Sequence, residues 1–370
     1  MVRMAGAALA AASRRFATRR GTGFAMRPMR AALVLALLCA VPAASGPARA
    51  AEKITIAIAG SSFVYLPVHV AKSLGLFAEE GLDAEMLESG SGAKSLAAMV
   101  AGSVDFLTGS PTSMLRAREK GAPVLIVGTL MRQFGSQVVA AGPWAKQHGI
   151  TRTSSYAEKL KLLKGARAGI SSAGSASDIQ LRFLAGEAGL NPERDMTIQG
   201  MVQPVMLATL EQGRLDLVTM SPPYAEIAVQ QFGALLAFNT SKGEIPALDG
   251  IFYLGVIVEE GFAKRKPDLV VRFLRVMQKA LDAMHDPARS LATRDRTHAV
   301  HMPKLDKKAF DMAWENNLEA YPRSVMVEGA MVERVGRFMA TIEKSPVDPA
   351  VIPASWTDTY AKTALKSLGR

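Results

Sequence analysis

GSVDFLTGSPTSML, Gly102 to Leu115, returns 111 positions later as GRLDLVTMSPPYAE, Gly213 to Glu226. Gly, Asp, Thr, Ser and Pro recur in register, at Gly102/Gly213, Asp105/Asp216, Thr108/Thr219, Ser110/Ser221 and Pro111/Pro222. Upstream the same offset pairs Leu96-Ala97 with Leu207-Ala208, Lys53 with Lys164 and Ser61 with Ser172. Each copy reads as a helix ending at Gly, a short strand opened by Asp, and a Ser-Pro turn into a further helix. Glycine tolerates the left-handed geometry that ends a helix, and proline suits the first helical turn, where no amide donor is missed. The carboxyl end of each strand therefore carries a polar turn at a helix start, which is where ligands sit in open α/β sheets. A duplicated fold unit with ordinary turns is the plainer reading of the same residues.

Working outward, the first fifty residues are set apart from the fold. From Met26 the chain runs MRPMRAALVLALLCAVPAASGPARA, with arginines at 27 and 30, an apolar core from Ala31 to Val41, a breaker at Pro42 and the small residues Ala48-Arg49-Ala50. This is the pattern of a secretory signal peptide cleaved before Ala51, with Met26 as a candidate start. Arg14-Arg15 and Arg19-Arg20 lack the full context of a twin-arginine signal, and Leu38 before Cys39 disfavours a lipoprotein anchor. The leader holds eight arginines and no acid, so the formal charge of +11 falls to 36 − 33 = +3 for the 370 − 50 = 320 residues that remain. That balance gives no nucleic-acid or membrane footprint, only a mild attraction for small anions. Cys39 is the only cysteine. The processed chain thus has no disulfide, thiolate nucleophile or cysteine metal ligand, and depends on its core for stability. With 49% apolar residues it can bury two lobes.

Taken in order, Lys53–Gly60 alternates as a first strand, Leu66–Leu74 has helical spacing, and Leu82–Leu87 is a second strand. Ser89-Gly90-Ser91-Gly92 then opens a helix over Ala93–Ala101, offering free amides and the positive end of a helix dipole. After the first repeat copy comes a strand over Pro123–Leu130, and a crossing from Met131 to Pro143. A strand at Ala166–Ile170 leads into a second glycine-serine loop, SSAGSASD, and a helix over Ile179–Ala188. Met196–Gln199, a helix over Pro204–Gln212, the second repeat copy and a strand over Ala234–Phe238 complete the second unit. Asn239–Gly250 suits a return crossing to a strand at Phe252–Val258. Pro267–Met284, Phe310–Tyr321 and Val327–Ile342 are helical, expected to pack against the first lobe and to carry little chemistry.

These residues also resemble a family. Leu66-Pro67, Ala71, Gly75-Leu76-Phe77, Gly81-Leu82-Asp83, Gly102-x-x-Asp105, Gly121-Ala122-Pro123-Val124, Leu163-Lys164-Gly165, Gly213-x-x-Asp216 and Pro267-Asp268 match, in order and spacing, the nitrate-, sulfonate- and taurine-type substrate-binding proteins of ABC importers. That family also includes pyrimidine-precursor binders, and the likeness runs from 53 to 285. It implies an α/β, two-lobed periplasmic-binding-protein fold of type II, each lobe a mixed sheet flanked by helices, with the ligand cleft between the lobes. The expected division is 51–138 with 242–370 in lobe I and 139–241 in lobe II. It also implies a monomeric, periplasmic receptor, without cofactor or metal, that closes on a small molecule and presents it to an inner-membrane ABC permease. The ligand would lie against Ser61, Ser62, Phe63 and Tyr65; Gly90, Ser91 and Gly92; Gly109, Ser110 and Thr112; Ser172, Gly174 and Ser175; and Ser221 and Tyr224.

Sharper chemistries are weighed against these loops. Ser91-Gly92-Ala93-Lys94 spells the S-x-x-K of penicillin-recognising enzymes without its S-D-N and K-T-G companions. GSGAKS, Gly90–Ser95, lacks the spacing of a P-loop. His298 and His301 form a lone H-x-x-H without an acidic partner, the pattern of a solvated surface more than of a metal clamp. Asp105 and Asp216 precede apolar strands and read as braces. Phe63, Tyr65, Phe134, Tyr224 and Tyr253 are either core or the wall of a site for an aromatic ligand. The five loops hold no arginine or lysine, Lys94 standing just beyond one, so an anion would rest on amides and hydroxyls, as a sulfonate can. Taurine would further need a carboxylate for its ammonium, with Asp178 and Glu226 the nearby candidates. The cysteine-rich segment of the pyrimidine-precursor enzymes is missing, which argues against that activity. An exported enzyme or sensor subunit on the same fold, acting on a pyrimidine-precursor-like or aromatic acid ligand, is the alternative.

Overall fold

The alternation in KITIAIAG is a strand, β1 (Glu52–Ile58), which buries Ile54, Ile56 and Ile58 on one face and Ala57 on the other. In the computed structural model, which describes residues 51–370, nine strands follow: β2 (Leu82–Glu88), β3 (Phe106–Gly109), β4 (Val124–Met131), β5 (Gln137–Ala140), β6 (Arg167–Ile170), β7 (Thr197–Gly200), β8 (Leu217–Met220), β9 (Leu235–Phe238) and β10 (Leu254–Glu259). Residues 1–50, expected from the sequence to be a secretory leader and containing Cys39, lie outside the described residues. Among the described residues no helix is long and apolar enough to cross a membrane.

The strands form two five-stranded sheets, ordered β2-β1-β3-β10-β4 and β7-β6-β8-β5-β9. The two orders coincide when β6, β7, β8 and β9 replace β1, β2, β3 and β4, and β5 replaces β10. The repeat strands β3 and β8 begin at Phe106 and Leu217, 111 positions apart. In each sheet the first three strands run parallel, and one strand is inserted antiparallel: β10 between β3 and β4, β5 between β8 and β9. β5 follows β4 in the chain yet joins the other sheet, and β10 follows β9 and returns. The chain therefore crosses twice, and each sheet is mixed because it receives one strand after a crossing.

The segment from Met131 to Pro143, expected as a plain crossing, contains β5. All four of its residues are buried between two neighbouring strands. A strand covered on both faces shows no alternation, and four residues are too few for periodicity to speak. The second Ser-Pro turn also differs from the first. Pro111 opens the helix Pro111–Glu119 directly, whereas the corresponding helix starts only at Tyr224. Pro223 is the cause, since a residue followed by proline is pushed out of the α region and Pro222 cannot begin the helix.

Helices cover both faces of the first sheet. Phe106 of β3 stacks on Phe273 of the helix Pro267–His285, with ring centroids 4.0 Å apart and planes 8° from parallel. The C-terminal helices do not serve the first sheet alone. The helix Lys307–Asn317 packs against Tyr224–Phe232 from the second sheet's layer, through buried polar contacts. Gln137 Nε2, at the first crossing, donates to Asn317 Oδ1 (2.7 Å) and to Ser241 Oγ (3.1 Å), at the second. Ser241 Oγ donates to the same Asn317 oxygen (2.6 Å), and Asn317 Nδ2 donates to Glu226 (3.0 Å). Both crossings and the second-lobe helix are thus fastened to one asparagine.

Candidate functional site

The turns after β1, β2 and β3 of one sheet and after β6, β7 and β8 of the other line a single cavity of about 680 Å³. That volume falls in the range of small-molecule sites. From the first sheet come Ser61, Ser62, Tyr65, Gly90, Ser91, Gly92, Gly109, Ser110 and Thr112, and from the second Ser172, Gly174, Ser175, Ser221 and Tyr224. Ser61 and Ser172, paired by the sequence offset, both line it, as do Ser110 and Ser221.

Phe63 stands apart from the other candidates. The 3-10 turn Phe63–Tyr65 directs its ring into the core, wholly buried and 5.0 Å from the ring of Phe310. Its backbone takes part in the cleft all the same. The Phe63 amide donates to the Pro222 carbonyl at 3.1 Å, joining the two sides, and its carbonyl accepts from the Tyr321 hydroxyl.

Local sequence dictates the polar turns. Ser91 and Ser175 are extended N-caps whose hydroxyls accept from the amides of Lys94 (3.3 Å) and Asp178 (3.4 Å). Before them Gly90 and Gly174 take φ of +79° and +71°, a region that a side chain would strain. In the second loop the Gly174 amide donates to Asp178 (2.8 Å), Ser175 Oγ donates to the Ser172 carbonyl (2.6 Å), and Ser177 Oγ accepts from the Ser171 amide (2.9 Å). The helices starting at Gly92, Pro111, Ala176, Gln203 and Tyr224 all begin among or beside lining residues. Their amino-terminal ends give the cavity a positive potential without a cationic side chain.

Among the lining residues Glu343 is the single charged side chain, and no arginine, lysine or histidine is present. Tyr65 and Tyr253 keep neutral phenols: burial pushes the Tyr65 phenol up to about 12 and raises that of Tyr253 as well. Phe134 lies 5.1 Å from Tyr253 and 5.9 Å from Phe338, centroid to centroid, and with Phe252 these rings make an aromatic wall. Phe134, Tyr65, Tyr224 and Tyr253 are thus at the cavity, while Phe63 is core.

Several lining residues escape a reading of the sequence. Gln203 accepts from the Ser221 amide at 2.8 Å, bracing one turn against another. Its place before Pro204 at a helix start was the available signal. Phe338 and Glu343 come from the helix Gly329–Thr341 and the residues after it, where amphipathic periodicity suggests only packing.

The remaining candidates find structural roles. Asp105 Oδ2 accepts from the Thr55 amide of β1, and Asp216 Oδ2 accepts from the Arg167 amide of β6, each at 2.8 Å. The repeated aspartate therefore clamps the neighbouring strand in both sheets, and at Asp216 the Arg167 guanidinium adds an ion pair at 2.6 Å. Asp178 pairs with Arg182 at 2.6 Å and Glu226 is buried against Asn317, so neither lines the cavity. His298 Nε2 contacts the Leu305 carbonyl (2.8 Å) while the His301 ring lies 4.9 Å from that of His69, so the two do not converge. Among the described residues no group of three or more His, Cys, Asp or Glu is arranged to hold a metal.

Known proteins place this architecture. The alkanesulfonate-binding protein SsuA of Xanthomonas axonopodis pv. citri, bound to MOPS, superposes with a TM-score of 0.61 at 16% identity, over 83% of this chain and 98% of that one. The periplasmic nitrate-binding protein NrtA of Synechocystis PCC 6803 gives 0.63 at 14% identity, over 86% and 89%. The chain has the two-lobed α/β fold of these binding proteins. The 4-amino-5-hydroxymethyl-2-methylpyrimidine phosphate synthase THI5 of Saccharomyces cerevisiae is 26% identical over 235 residues, 61% of this chain. The chain spans 65% of the length of that relative. The family described as "NMT1/THI5 like" matches residues 62–290, more than half of the sequence and every strand but β1, and the chain belongs to that family.

Proposed function

We propose that this chain is the solute-binding component of an ABC importer, exported by its N-terminal leader, that closes two lobes on a small organic anion and delivers it to an inner-membrane permease. The observation that carries the reading is the cavity of about 680 Å³ shared by equivalent turns of two duplicated sheets. A ligand touching both sets of turns stabilises the closed arrangement over the open one, and only contacts made by both lobes together can do so. The two chain crossings are the hinge.

The ligand's acidic end lies at the helix starts, held by amides and serine hydroxyls, and its body lies against the aromatic wall. A sulfonate meets both demands, and the solved alkanesulfonate- and nitrate-binding relatives support an oxyanion. The lining offers little for covalent chemistry: among the described residues no histidine, lysine or aspartate lines it, and the carboxylate that accepts from the lining Ser61 hydroxyl at 2.5 Å, Glu88, is exposed to solvent. A binding role suits it better than catalysis.

A thermal-shift panel of nitrate, alkanesulfonates, MOPS, taurine, aromatic carboxylates and aminopyrimidines on purified, ligand-free protein tests this. A ligand at a hundredfold its Kd is expected to add about 2.7 kcal/mol of stability. Silence across the whole panel overturns the reading. Turnover of any member, tracked by mass spectrometry, would replace it with an enzyme.

A further inference from the structure

Glu343 follows the helix Gly329–Thr341, and its amide donates to the Phe338 carbonyl at 3.2 Å, so both residues belong to one wall of the cavity. Its side chain is half-buried, and among the described residues no donor reaches its carboxylate. Burial pushes the carboxyl above the usual carboxylate range even with a guanidinium, Arg116, nearby. Arg116 is spoken for: it donates to the carbonyls of Ser345 and Pro346 and reaches Glu119.

Every other polar group lining the cavity is a neutral hydroxyl, amide or carbonyl. When the lobes close and expel water, a carboxylate with no partner is costly to leave unpaired, and a ligand that brings an N–H donor removes that cost. The helix starts favour negative charge on the same ligand.

Resting on the solute-binding reading above, we propose that Glu343 is the specificity-determining residue that selects ligands with a protonated amine or amidine set apart from an acidic group by an apolar or aromatic body. The natural solute is then an amino-substituted organic acid, with its anionic end at the helix starts and its nitrogen at Glu343. Simple oxyanions and unsubstituted sulfonates are poor ligands, because they leave the carboxylate unpaired.

Matched pairs test this by calorimetry: 4-(aminomethyl)benzenesulfonate against 4-methylbenzenesulfonate, 4-(aminomethyl)benzoate against 4-methylbenzoate, and taurine against ethanesulfonate. The amino member of at least one pair is expected to bind the wild-type protein about tenfold or more tightly than its partner. Glu343→Gln is expected to shrink that ratio to about twofold or less, by weakening the amino member and no longer penalising the unsubstituted one. The ratio is read within one preparation, so it does not depend on how much of the variant is folded. Equal binding of all pair members, or a ratio that survives in Glu343→Gln, overturns the assignment and leaves the solute-binding reading standing. No binding of any member at about 10 mM overturns both.

Discussion

Glu226→Gln should change the pH dependence of stability more than the stability itself. Glu226 lies on the second-lobe helix Tyr224–Phe232, wholly buried; Oε1 accepts from Asn317 (3.0 Å) and Asn316 (3.4 Å), and Oε2 has no partner among the described residues. Burial raises its carboxyl from 4.5 to about 7, with the two asparagine amides pulling the other way. The unfolded carboxyl loses its proton near 4.5 while the folded one holds it to about 7, so the stabilisation is full below 4.5 and is lost as pH climbs through 7. The gap corresponds to roughly 3 kcal/mol. Glutamine cannot titrate. It pays only a constant penalty of ~1–3 kcal/mol if its amide faces the partnerless side. The stability of Glu226→Gln relative to wild type is therefore expected to rise by roughly 3 kcal/mol from acid to alkaline pH.

The comparison must be a difference, because His69 works in the opposite direction. Among the described residues neither of its buried ring nitrogens has a partner, and burial, with the nearby charges of His301 and Lys72, draws its pKa from 6.5 to about 3. As pH falls below 6.5 the unfolded chain takes up a proton that the folded one refuses, and stability declines. Between 4.5 and 6.5 the two groups nearly cancel in the wild type. Urea unfolding of both proteins from about pH 5 to about pH 8, followed by tryptophan fluorescence, isolates the Glu226 contribution. Curves that stay parallel within about 0.5 kcal/mol over that range would show that Glu226 ionises in the folded protein as freely as in the unfolded one.

The repeated aspartates should behave as clamps. Asp216→Asn keeps an oxygen for the Arg167 amide but loses the ion pair, and is expected to cost ~1–3 kcal/mol; Asp105→Ala, which removes the one acceptor for the Thr55 amide, should cost about 1 kcal/mol. Neither should alter ligand preference in the calorimetric pairs; a change in selectivity without loss of stability would return both to the ligand site. Glycine substitutions should split by position. Gly174→Ala, at φ +71° in a cleft loop, is expected to lose ~1–2 kcal/mol and to weaken ligand binding. Gly186→Ala, inside the helix Ala176–Glu187 with nothing within 4 Å of the new methyl, should gain ~0.5–1 kcal/mol in urea unfolding. The reverse order of the two would contradict the backbone conformations described.

The sequence was legible where local chemistry repeats. The 111-residue offset announces two equivalent units, because a Gly stop, a strand-opening Asp and a Ser-Pro helix start are all short-range signals, and they carry the parallel strands and the polar turns of the cleft with them. What it could not convey is where separate stretches meet. β5 is invisible to periodicity because both its faces are covered, and its exchange for β10 is decided by pairing partners distant in sequence, such as Val138 with Phe238 and Val256 with Thr108. Phe63 and Tyr65 are two positions apart in one loop, yet a single 3-10 turn sends one ring into the core and leaves the other at the cavity. Asp178 and Glu226 looked available for an ammonium until Arg182 and Asn317 were found beside them. Phe338 and Glu343 come from a helix whose pattern speaks only of packing and from the residues just after it. Residue order alone therefore determined the duplicated scaffold and the helix starts that can receive an acid. The tertiary structure alone decided which carboxylate was left unpaired in the cleft, because pairing depends on long-range contacts that no local spacing encodes.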